Sequence, residues 1–129
     1  MGLFFKKAER LKSQKALDIL LKKGSVYFLF PLRVAWMVTD YPIESPAQVA
    51  FAVPKKRFKR ANKRNLVKRR LREAYRLNKQ HLYKVLNNQN IHVQLLIVYI
   101  ANEVLDYHDI EPKIKATFDY IVANIQKTT

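Results

Sequence analysis

Cysteine is missing from all 129 residues, which excludes disulfides and thiolate metal sites and makes a reducing compartment, most simply the cytoplasm, the expected setting. Acids are scarce: ten Asp and Glu stand against 25 Lys and Arg, giving a net charge of +15. A nuclease that works unaided needs clustered acids for metal ions or a histidine pair for acid–base transfer, and neither pattern occurs. His81, His92 and His108 are scattered without metal-ligand spacing, and Asp106 and Asp109 beside His108 read as chemistry of a helix start. The expectation is no catalytic side chain and no metal site. Long apolar runs are also missing. The longest, residues 95–101, is strand-sized and far below the ~18 residues of a membrane span, and the N-terminus lacks a signal-peptide core.

What is present is enough apolar material to fold. With 49% hydrophobic and 12% aromatic residues, a chain of this length is expected to form one domain, residues 1–129, around a single core. The basic charge is local: residues 55–79 hold 13 Lys and Arg and one acid, Glu73. Such clustering points to a polyanionic partner, most simply a nucleic acid. An anionic membrane surface is the competitor. It is disfavoured because the apolar stripe of this segment lacks Trp and Phe and is needed for the core.

Periodicity places the elements. Ser13 is a candidate cap for a short helix carrying Ala16, Leu17, Leu20 and Leu21, which Gly24 stops. Residues 26–30 read as a short edge strand before Pro31, and Val34, Trp36 and Val38 alternate with Arg33, Ala35 and Met37 in a second strand. Residues 48–53 alternate again and are expected to pair with 34–39 as an antiparallel hairpin. From a cap at Asn62, a helix is expected to run from about residue 63 to 86, with Val67, Leu71, Ala74, Tyr75, Asn78, Leu82 and Val85 on one stripe. Asn65, Arg69, Arg72 and Arg76 fall opposite, flanked by Lys68 and Lys79. Residues 87–90 break the helix, and residues 91–100, apolar nearly throughout, predict a central strand. A last helix from Asp109, with Pro112 in its first turn, carries Ile110, Ile114, Phe118, Ile121 and Ile125. The fold class expected is α+β, a mixed four-stranded sheet covered by helices.

Lys55-Lys56, Arg60-Ala61, Arg64-Asn65-Leu66-Val67-Lys68-Arg69 and Arg72-Glu73 together resemble the signature of the bacterial ribonuclease P protein family, with Leu66 where the family pattern has arginine. Arg10-Leu11-Lys12 and Gly24-Ser25, flanking the first helix, are similar to the family's entry and exit there. The resemblance implies an α-β-β-β-α-β-α order with a left-handed βαβ crossover. It further implies a cytoplasmic heterodimeric ribonucleoprotein of one protein and one RNA that removes the 5′ leader of precursor tRNA. In that family the RNA subunit, with Mg2+, carries the chemistry, so the partners implied are ribonuclease P RNA and precursor tRNA, not DNA or a membrane. Carried over by position, Lys55, Lys56, Arg60, Arg64, Asn65, Lys68, Arg69 and Arg72 are the RNA-facing candidates, joined by Arg76 on the same line of the helix. A ribosomal or RNA-chaperone protein using the same basic helix is the alternative.

The residue types suit that role. Arginine engages a phosphate through two parallel hydrogen bonds, lysine supplies a mobile charge, and asparagine can donate and accept at a sugar or base edge. The resemblance also implies a leader cleft between the first helix and the sheet. Leu17 and Leu21 are its candidates on the helix, where the family often has phenylalanine, and Phe28, Phe30 and Trp36 are candidate stacking surfaces.

Overall fold

The computed structural model describes residues 4–127. A 3₁₀ turn at Lys7–Glu9 leads into α1 (Gln14–Lys23), then β1 (Ser25–Leu29), β2 (Leu32–Val38), β3 (Ala47–Ala52), α2 (Ala61–Gln89), β4 (Val93–Tyr99) and α3 (Tyr107–Lys127). Ser13 caps α1 as expected: its Oγ accepts from the Ala16 N–H at 3.1 Å. Gly24 ends the helix for a steric reason. A Cβ there would lie 2.5 Å from the Leu20 carbonyl oxygen and 3.1 Å from that of Trp36.

The sheet runs β1-β2-β4-β3, mixed as expected, with β4 central. The expected hairpin between residues 34–39 and 48–53 does not form. β4 inserts between them, antiparallel to β2 with Val34 opposite Ile97, and parallel to β3 with Val49 opposite Leu95. β4 is buried or half-buried at every position, so it needs a neighbour on each edge and cover on each face; pairing β2 with β3 would push it outward. The connection after β2 makes the detour, with the Thr39 N–H bonded to the His92 carbonyl and the Val93 N–H to the Pro46 carbonyl. The outer edge of β3 is covered in turn by the N-terminal segment, where Arg10 bridges Val49 and the Leu11 N–H donates to the Val49 carbonyl at 3.0 Å.

The two faces of the sheet have different cores. Leu32, Val34, Trp36, Val49, Val93, Leu95, Ile97 and Tyr99 pack under α2 and α3, meeting Val67, Leu71, Tyr75, Leu82, Ile110, Ile114 and Phe118. On the other face a small cluster of Leu11, Ala16, Leu20 and Ala35 seats α1 and leaves much of the sheet uncovered. Helix boundaries differ from expectation by a few residues. α2 begins at Ala61 behind Arg60, so Asn62 is inside the helix. It runs on through Asn87 and Asn88 until Asn90, at φ 54° and ψ 45°, takes the left-handed stop, and the Ile91 N–H reaches back to the Leu86 carbonyl. α3 opens two residues before Asp109, with the Asp106 carbonyl accepting from the N–H groups of Asp109 and Ile110. Pro112 is therefore its sixth residue.

Candidate nucleic-acid interface

α2 is fixed by its apolar side, so its basic side has a defined direction. Val67, Leu71, Ala74, Tyr75, Leu82 and Leu86 are buried, whereas Asn65, Arg69 and Arg72 are exposed and Lys68 and Arg76 half-exposed. Asn65, Arg69, Arg72 and Arg76, spaced three or four residues apart, leave successive turns along one line, with Lys68 beside it. Lys55, Lys56 and Arg60 extend the exposed basic surface beyond the start of the helix.

The segment leading into α2 is built rather than loose. Its turn closes through the Arg57 N–H to the Pro54 carbonyl at 3.0 Å, and Phe58 is buried against Tyr99 with ring centroids 6.1 Å apart. Arg64 folds back on it, its Nη1 donating to the carbonyls of Phe58 (2.8 Å) and Lys59 (2.9 Å). Arg64 is thus a clamp for the approach as well as a charge beside it. Phe58 was not singled out by the sequence reading; the only signal was one aromatic residue within a basic run.

Two basic residues differ from the expected arrangement. Lys79 does not flank the basic face: it is only 2% exposed and its Nζ is bonded to Glu9 and to the Phe4 carbonyl. Glu9 also accepts from the Lys6 N–H at 2.6 Å and from Tyr83 Oη at 2.7 Å, while Tyr83 and Tyr75 share a hydrogen bond at 2.8 Å. Burial pushes the Glu9 carboxyl up, but the bonds from Lys79, Lys6 and Tyr83 outweigh it and hold the group below the ordinary carboxylate range. Arg76 remains on the face but is paired bidentately with Glu73 at 3.0 and 2.8 Å. That hydrogen-bonded pair lowers the Glu73 pKa and raises that of Arg76.

A basic cleft of about 230 Å³ joins α2 to the N-terminal segment, lined by Lys68 and Arg72 on one wall and Arg10, Leu11 and Lys12 on the other. Arg10 and Lys12 therefore belong to the same charged surface, brought there by their pairing along the β3 edge.

The candidates for a stacking cleft divide between the faces of the sheet. Phe28 lies opposite Arg33 on the α1 face and is 64% exposed; Phe30, in the β1–β2 turn, is 61% exposed. Leu21 is exposed on α1, and Leu17 is half-buried against the small cluster. Trp36 is not part of this surface. Strand alternation sends it with Leu32 and Val34 into the main core at 8% exposure, where its Nε1 has no hydrogen-bond partner. Tyr27, on the same side as Trp36, stacks on Tyr120 of α3 with centroids 4.0 Å apart.

Among the described residues no three His, Cys, Asp or Glu gather as a metal-holding group, and no helix is long and apolar enough to cross a membrane. His92 Nδ1 lies 2.9 Å from the Ser45 carbonyl, a structural contact between the chain before β3 and the start of β4.

Comparison with known proteins gives one family. The family model described as Ribonuclease P matches residues 5–122. A ribonuclease P protein component from Porphyromonas gingivalis strain W83 is 33% identical over 119 residues, covering 92% of this chain and 87% of its own length. One from Chlorobium phaeobacteroides is 44% identical over 70 residues, 50% of this chain and 48% of its own. Among solved structures, the RNase P protein of Staphylococcus aureus superposes with a TM-score of 0.72 at 19% identity, covering 89% of this chain and 96% of that one. That of Thermotoga maritima gives 0.64 at 17%, covering 85% and 94%. At these identities the two structures speak to the fold, which is the same.

Proposed function

This chain belongs to the ribonuclease P protein family and is the protein subunit of that ribonucleoprotein, and from this premise we propose that the α2 face docks the catalytic RNA while the α1 side of the sheet receives the 5′ leader of precursor tRNA. The observation that carries the reading is the line Asn65, Lys68, Arg69 and Arg72, backed by a fully buried stripe and continued by Lys55, Lys56 and Arg60. A preformed row of charge meets a phosphate backbone without having to order itself first, and releases counterions on contact. Arg64 and Arg76 contribute in a secondary way, one as the clamp of residues 58 and 59, the other with its charge shared by Glu73.

In this reading the chain supplies position and charge, and bond cleavage belongs to the RNA. Mg2+ would serve that chemistry from the RNA side, since the described residues offer no cluster of acids or histidines fit to hold it. The second surface, Phe28, Phe30, Leu21 and Leu17, is apolar and open on the face that α1 only partly covers, which suits stacked or splayed bases of a single strand. The particle is a heterodimer of one protein and one RNA, working in the cytoplasm. A ribosomal or RNA-chaperone role finds no support in the relatives described above.

Mixing the chain with a ribonuclease P RNA at low divalent cation and adding precursor tRNA tests the assignment. Stimulated removal of the 5′ leader is expected. No stimulation over RNA alone, with protein shown to be folded, would refute it.

A further inference from the structure

At the carboxyl ends of the parallel strands β3 and β4, the segment before α2 and the connection after β4 border an open cavity of about 700 Å³. Arg57, Lys59, Arg60 and Lys63 supply four cations to its lining, against one carboxylate, Glu103; Leu66 and Val104 supply an apolar floor, with Phe58 and Asn102 beside them. The volume lies within the range of small-ligand sites, and the end of a parallel strand pair is a common place for one. Arg57 is held by Nη1 donating to Asn102 Oδ1 at 2.9 Å, and its Nε is closed off from solvent with no hydrogen-bond partner. A fixed guanidinium plane beside an apolar floor, with cations outnumbering the one carboxylate, matches an unstacked nucleotide: the base meets the floor and the plane, the phosphate meets the cations.

We propose that this cavity is a nucleotide-binding pocket that takes one unpaired, splayed-out nucleotide of the RNA partner, with Leu66 and Val104 under the base and Arg60 and Lys63 at its phosphate. It rests on the RNA-binding reading above and deepens it, sharing Arg60 with the basic surface that continues the α2 line and lying apart from the α1 side of the sheet. Leu66 is what makes the pocket selective for a base. A cation at this position would fill the floor with charge and turn the cavity into a site for phosphate alone.

The test is an NMR titration of the full chain with adenosine 5′-monophosphate and with ribose 5-phosphate, which carries the same phosphate and no base. The methyl groups of Leu66 and Val104 should shift saturably with the nucleotide, at an affinity about tenfold above that for the sugar phosphate, the scale of one stacked base. Leu66→Lys should abolish that preference and leave sugar-phosphate binding equal or stronger, with thermal melting confirming the fold. Val104→Thr, a milder change, should reduce the preference. Equal affinity for the two ligands in the unaltered chain, or a preference that survives Leu66→Lys, overturns the pocket. So does a response confined to Leu17 on the α1 side. Because the titration uses protein alone, its failure is distinct from a failure to stimulate cleavage. In the assembled particle, an aryl azide on Val104→Cys, with one RNA labelled at a time, should capture a single unpaired nucleotide and assign it to the RNA subunit or to the precursor. Capture of paired nucleotides only would contradict the proposal.

Discussion

Arg72 and Arg76 stand one turn apart on the same line of α2, yet they bring different charge to an RNA. Arg72 is exposed, whereas Arg76 shares both its bidentate bonds with Glu73 and must give them up, or bring the carboxylate along, to meet a phosphate. Replacing Arg69 and Arg72 together by Ala should lower affinity for the RNA subunit and reduce the slope of log affinity against log salt by about two, one for each lost phosphate contact, with the melting temperature unchanged. Arg76→Ala should change that slope by clearly less than Arg72→Ala does; binding isotherms at several salt concentrations measure both, and equal slopes would contradict the difference. Lys79 shows why such distinctions escape a reading of spacing. It sits within the basic run, but its partner Glu9 is 70 positions away, and only the fold brings that carboxylate beneath it. Trp36 escaped in a different way. Aromatic character marks both stacking surfaces and cores, and the parity of strand β2 decides between them only once it is known which face α1 leaves open.

At the scale of elements, the N-terminal segment is the piece whose attachment is unusual. The Glu9–Lys79 ion pair and the bridge from Arg10 to Val49 strap it across the β3 edge, and this places Arg10 and Lys12 opposite Lys68 and Arg72. Glu9→Gln leaves a buried ammonium without its counter-charge and should cost about 3–5 kcal/mol, seen as a lowered denaturation midpoint. The pH dependence has a definite sign. The Glu9 pKa is lowered in the folded chain from an ordinary 4.5, so its contribution is complete above that value and is lost as the pH falls through the lower folded one. Acid unfolding of the unaltered chain should therefore be steeper than that of Glu9→Gln, and superimposable curves would rule out the linkage. Gly24→Ala tests the end of α1: a Cβ 2.5 Å from the Leu20 carbonyl must displace backbone, at about 1–3 kcal/mol in a denaturant melt. The helices and strands themselves were legible because each buries a periodic stripe. Strand order was not, since a local alternation such as Val49, Phe51 and Val53 records which face is buried and nothing about which strand lies alongside. Helix ends were legible only within a few residues, because Asn87, Asn88 and Asn90 share a turn-forming chemistry and only Asn90 adopts the left-handed backbone.

At the scale of the molecule, the sheet separates two surfaces that serve one particle. In the proposed reading the α2 line offers cations to a backbone and the α1 side offers Phe28, Phe30 and Leu21 to bases, and no side chain is shared between the two sets. Basic charge was legible in the sequence as a block, whereas this division needed the strand faces. Its consequence is energetic independence. Phe28→Ala should weaken binding of precursor tRNA with a long leader by about 1–3 kcal/mol, the worth of one stacked base, and leave unaffected a substrate whose leader is too short to reach the cleft. Arg69→Ala with Arg72→Ala should instead weaken assembly with the RNA subunit equally for both substrates. Combined in one chain, the two effects should add within about 0.5 kcal/mol, as for sites that share no partner. Affinity of the reconstituted particle for long-leader and short-leader precursors, measured at saturating RNA subunit and again at limiting RNA subunit, separates the two contributions. A loss from Phe28→Ala that is the same for both leaders, or a coupling well above that margin, would mean that the two surfaces act as one.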